Sequence, residues 1–109
     1  MNVSSVFADR VGPSTDYSGS KRAIRGLTRT VAKEYGTQGI RINELQPGVI
    51  NTEIPQADPE GTQEVDDRGI PLKRIGTGRE GAAAIALLLF DDASDINGVH
   101  LAVDGGFFA

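Results

Sequence analysis

An α/β fold organised on a parallel sheet is what this sequence of 109 residues predicts. Three observations point there. Short apolar runs of strand length alternate with two stretches of helical period, in the order β-α-β-α-β. Both helical stretches open on boundary residues, and the last two strand candidates end in proline or glycine. Right-handed crossovers between parallel strands then place each helix on a defined face.

Taken in order, NVSSV at residues 2 to 6 is a short strand candidate. Pro13, Ser14, Thr15 and Asp16 mark the start of a helix running to about Tyr35, with Ala23, Ile24, Leu27, Val31 and Tyr35 as its apolar stripe and Gly36 placed to end it. IRINEL, residues 40 to 45, is the second strand, closed by Pro47 and Gly48. From Asn51 to Gly69 the chain turns polar and carries Pro55 and Pro59, which reads as a loop long enough to act as a lid. Thr77 and Glu80 form a capping box ahead of an apolar helix from about Arg79 to Asp91. GVHLAV, residues 98 to 103, is the last strand and stops at Asp104, Gly105 and Gly106.

Composition narrows the function. A hydrophobic fraction of 39% and a charged fraction of 24% suit one soluble domain spanning residues 1–109, without repeats. The net charge of −4 and the lack of a Lys/Arg cluster argue against a nucleic-acid partner. With no cysteine and His100 as the one histidine, a zinc site is not expected. The longest apolar run, Ala82 to Phe90, is too short to span a bilayer, and MNVSSVFADR is not a signal peptide, so a cytoplasmic protein with no membrane partner is expected.

The stretch YSGSK, residues 17 to 21, sets a phenol and an ammonium four positions apart with only small side chains between them. On a helix Tyr17 and Lys21 share a face, and the cation favours the phenolate. That arrangement suits a tyrosine acting as general acid or base near neutral pH. A second motif, GTGREG at residues 76 to 81, has the spacing of a dinucleotide phosphate loop and opens a helix. Its context argues against that use, because GIPLKRI before it carries a proline and two cations where a buried strand should stand.

In order, NVSS, YSGSK, GIRIN, PGVINT, IPLKRIG and NGVHLAVDGG resemble the C-terminal half of a short-chain dehydrogenase/reductase. The resemblance covers essentially the whole chain but only that family's second half. It implies the C-terminal β-α-β-α-β part of a Rossmann-type doubly wound parallel sheet, a partial domain lacking the N-terminal cofactor-binding half. It further implies an oxidoreductase that uses NAD or NADP to interconvert an alcohol and a carbonyl in a small-molecule substrate. Tyr17 is then the general acid/base, and Lys21 supports it and contacts the nicotinamide ribose. The family's carbonyl-polarising serine corresponds to Ser5 by its place in NVSS. The usual serine-to-tyrosine distance fits Ser4, and Ser5 is preferred because a loop absorbs a deletion more easily than a strand end changes its facing.

Pro47, Gly48, Ile50 and Thr52 in PGVINT correspond to the segment that holds the nicotinamide end. No glycine-rich loop precedes these motifs, the family's catalytic asparagine falls in the half not represented, and cofactor preference is set there too. Glu44 also departs from the pattern, occupying a strand position where the family has a small or apolar side chain. A buried, unpaired carboxylate there would be costly, so Glu44 is expected to be partly exposed or protonated. The unpaired edge of NVSSV leads to an expectation of homo-oligomers. The alternative reading is an inactive fragment that keeps only oligomer-forming surfaces.

Overall fold

The computed structural model describes residues 1–51 and 69–109. Thr52 and most of the polar segment expected to form a lid therefore lie outside the described residues. Three parallel strands form the central sheet in the order β1-β2-β5, with β1 at Asn2–Val3, β2 at Glu44–Pro47 and β5 at His100–Val103. The register sets Asn2 beside Glu44, Glu44 beside His100, and Pro47 beside Val103. A second parallel pair joins β3, Ile50–Asn51, to β4, Gly76–Thr77. Both helices are the expected ones: α1 spans Thr15–Tyr35 and α2 spans Gly78–Leu89. The parallel α/β class is therefore as expected, with this additional two-stranded piece.

Strand limits differ from the sequence reading. The middle strand begins at Glu44 rather than Ile40, because the preceding residues hold other segments instead of pairing as a ladder. Arg41 donates to the carbonyls of Leu88, Phe90 and Ile96 at 3.0 to 3.2 Å, placing a cation on the end of α2. The amide of Ile42 donates to Asn97 Oδ1 at 2.8 Å, and Asn97 Nδ2 donates to the carbonyl of Ala32 near the end of α1. Asn43 donates to the carbonyl of Ile96 and accepts from the amide of Val99.

The end of α1 also differs. Gly36 keeps a right-handed conformation at φ −58°, and a 3-10 turn, Gly36–Gln38, follows it. The left-handed stop falls at Gly39, φ 74°, where a side chain would be strained.

Helix α1 turns inward a face that only partly overlaps its apolar stripe, with Ile24 and Val31 half-buried. Ser18, Thr28 and Ala32 are buried, whereas Leu27 is 56% and Tyr35 42% exposed. Small polar residues suit the inner face because the sheet beneath it is polar, with Asn2 Nδ2 donating to Thr28 Oγ1 at 2.9 Å. Alternation along β2 turns Leu45 to the opposite side, where α2 lies, while Glu44 and Gln46 face α1. Leu45, Leu88 and Val6 are among the few large apolar side chains fully buried. At α2 the capping box is present as expected: Thr77 Oγ1 accepts from the Glu80 amide, and Glu80 Oε2 accepts from the Thr77 amide at 2.8 Å. No helix among the described residues is long and apolar enough to cross a membrane.

Candidate active site

Where β1, β2 and β3 meet α1 and α2, the chain leaves a cleft of about 540 Å³. Ser4 and Ser5 follow β1, Tyr17 stands in the first turn of α1, and Pro47, Gly48 and Ile50 follow along β2 and β3; all six line this cleft. Residues up to 46 positions apart in sequence thus converge at the carboxyl ends of parallel strands, where open α/β sheets leave their crevice. Gly78, Gly81 and Ala82 of α2 form the opposite wall. A Cβ at Gly78 or Gly81 would meet nothing within 4 Å, so the wall opens onto free space.

Tyr17 is 38% exposed and is oriented by neighbours on both sides. The Phe7 ring meets it edge-on at 6.4 Å between centroids, and Lys21 Nζ lies 5.4 Å from the Tyr17 ring centroid. The helical spacing therefore does put phenol and ammonium together, as YSGSK suggests. Phe7 is braced in turn by Phe107, whose ring carries the Arg10 guanidinium at 4.7 Å. Sequence reading missed Phe7, since it lies in a 3-10 turn ten residues before Tyr17 and meets it only in the folded chain.

The two serines differ in their hydrogen bonds. Ser5 caps the 3-10 turn Val6–Ala8, its Oγ accepting from the Phe7 amide at 3.2 Å. Ser4 Oγ donates to Glu44 Oε1. Glu44 corrects the expectation of partial exposure: its exposure is 0%, and Gln46 Nε2 and His100 Nδ1 contact the same carboxylate. Burial is tolerated because polar partners converge on its oxygens.

Gly48 lies where two strand ends come closest. Its amide donates to the Val103 carbonyl at 3.0 Å, and a Cβ would stand 2.8 Å from the Cα and Cβ of Asp104. Only a glycine brings these backbones so near without displacement. GTGREG, by contrast, is occupied by its own side chains. Arg74 donates to both Glu80 oxygens at 2.6 and 3.0 Å, and with the Thr77 bonds it holds the Glu80 carboxyl down at about 2. A fixed carboxylate at this helix start repels a phosphate.

Comparison with known proteins agrees with the fold. The family model described as enoyl-(acyl carrier protein) reductase matches residues 1–108. Levodione reductase from Leifsonia aquatica is 41% identical over 97% of this chain and 43% of its own. The crystal structure of a blue fluorescent protein from a metagenomic library, in complex with NADPH, superposes with a TM-score of 0.92 at 38% identity, covering 99% of this chain and 44% of that one. A 4-hydroxyisoleucine dehydrogenase complexed with NADH superposes at 0.86 with 31% identity, over 96% and 44% of the two chains. The chain thus spans less than half the length of these relatives.

Proposed function

The chain belongs to the short-chain dehydrogenase/reductase family, and from that membership we propose that it is the catalytic part of an NAD(P)-dependent oxidoreductase interconverting an alcohol and a ketone or aldehyde. The observation that carries this reading is the convergence of Ser5, Tyr17, Pro47, Gly48 and Ile50 on one cleft, with Lys21 beside the tyrosine ring.

The cleft fits the nicotinamide end of a dinucleotide: it is wide, and glycines face it on two sides. Pro47, Gly48 and Ile50 would hold that end, with Lys21 reaching its ribose; Thr52, the fourth residue of this set, stays a sequence-based assignment. When bound, the nicotinamide ring supplies or takes up the hydride. In the reducing direction the Tyr17 hydroxyl gives a proton to the carbonyl oxygen, and in the oxidising direction the phenolate takes one from the alcohol. Lys21, one turn further along α1, keeps its ammonium 5.4 Å from the Tyr17 ring centroid. Ser5 donates a hydrogen bond to the substrate oxygen, where negative charge develops. Its hydroxyl is free to do so, since the bond to the Phe7 amide uses an acceptor lone pair.

The test is kinetic and uses this chain preceded by the amino-terminal half of levodione reductase. Tyr17→Phe keeps the ring and removes the proton, so turnover should fall by about 10² to 10⁴ with cofactor binding retained. Lys21→Ala should weaken both. Near-normal turnover in Tyr17→Phe would rule out the phenol as acid/base.

A further inference from the structure

Directly beneath the serine end of the cleft sits a fully buried carboxylate that the proposed chemistry does not use. Glu44 Oε1 takes the Ser4 hydroxyl and, at 3.2 Å, Gln46 Nε2; its Oε2 lies 2.5 Å from His100 Nδ1. Parallel register puts Glu44 and His100 side by side on the face covered by α1. Arg25 and Arg29 of α1 border the cavity next to His100, with Arg25 paired to Asp9. Of this cluster only Ser4 also lines the cleft, next to Ser5.

We propose that Glu44 is a positioning residue: it draws the Ser4 hydroxyl into the protein, so that Ser5 is the serine left to donate to the substrate oxygen. The inference rests on the dehydrogenase/reductase reading above. A freed Ser4 hydroxyl at the cleft wall would compete with Ser5 for the same oxygen, or for Ser5 itself, and misplace the donor. His100 supports the arrangement from the far side. On this proposal Glu44 Oε2 accepts from His100 Nδ1, which lies 2.5 Å away, while the buried Nε2 has no partner among the described residues.

Two measurements decide it. In the 109-residue chain, nitrogen NMR of the one histidine should show a protonated Nδ1 and a bare Nε2. Glu44→Gln keeps an oxygen for Ser4 but turns an amide NH₂ toward the ring, so the proton should move to Nε2. The same tautomer in both chains overturns the cluster. In the extended enzyme, Ser5→Ala should lose about a hundredfold or more in kcat, as loss of a donor to a developing oxyanion does. Ser4→Ala should stay within about threefold of wild type, and Glu44→Leu should fall roughly ten- to a hundredfold with the cofactor KM unchanged. Adding Ser4→Ala to Glu44→Leu should restore kcat, because the misplaced hydroxyl is gone; Glu44→Gln should restore it as well. If Glu44→Leu does not fold, Ser4→Ala and Glu44→Gln carry the test alone. A Ser4→Ala loss equal to that of Ser5→Ala, or no recovery in the double variant, overturns the inference and leaves the reading intact. Normal turnover in both Ser5→Ala and Tyr17→Phe overturns the reading itself.

Discussion

Replacing Gly48 by alanine should destabilise the fold by an amount the geometry sets. The new Cβ would lie 2.8 Å from Asp104 Cα and Cβ, and ordinary contact begins at 3.4 Å, so the two strand ends must part by at least 0.6 Å (3.4 − 2.8). Neither side yields easily. The Gly48 amide is bonded to the Val103 carbonyl at 3.0 Å. Asp104 holds the carboxyl-terminal turn, accepting from the amides of Gly106 at 2.9 Å and Phe108 at 3.0 Å. Overpacking against backbone that cannot move aside costs about 1–3 kcal/mol. For a domain of this size each kcal/mol lowers the melting midpoint by roughly 4–8 °C, so a drop on the order of 10 °C is expected. The assay is thermal unfolding by circular dichroism at matched concentration. Gly26→Ala serves as the control, since its Cβ meets nothing within 4 Å on an exposed turn of α1, and it should stabilise by about 1 kcal/mol through helix propensity. Equal midpoints for Gly48→Ala and wild type would refute the close-approach argument.

Three further outcomes are expected. Glu80, depressed to about 2 from its ordinary value of 4.5, contributes stability that is fully present above pH 4.5 and lost as pH falls through about 2. The melting midpoint of Glu80→Gln should therefore fall less between pH 5 and pH 2 than that of wild type, and parallel curves would contradict this. The 109-residue chain alone should bind NADH or NADPH at about millimolar strength or not detectably in a fluorescence titration, because few groups remain to offset the cost of immobilising the ligand; micromolar binding would contradict this. Light scattering at micromolar concentration should show oligomers, since among the described residues β1 has a partner on one edge only and Leu27 and Tyr35 face outward; a monomer with cooperative melting would count against it.

What could be read from the sequence alone was local. The helix limits near Thr15, Tyr35 and Thr77 follow from caps and period, which act over a few residues, and the motif series named the family. Tyr17 and Lys21 were legible because helical spacing fixes their shared face. Other features depend on segments distant in sequence meeting in space. The inner face of α1 is set by the polar face of the sheet beneath it, where Asn2 bonds Thr28, so Thr28 is buried and Leu27 is not. The start of β2 is set by Arg41 and Asn43 reaching residues more than 40 positions away. Glu44 looked like a misfit because its partners Ser4 and His100 lie 40 and 56 residues away, and only parallel register makes them neighbours. Burial of a carboxylate is decided by the donors around it, and those donors come together only when the sheet forms.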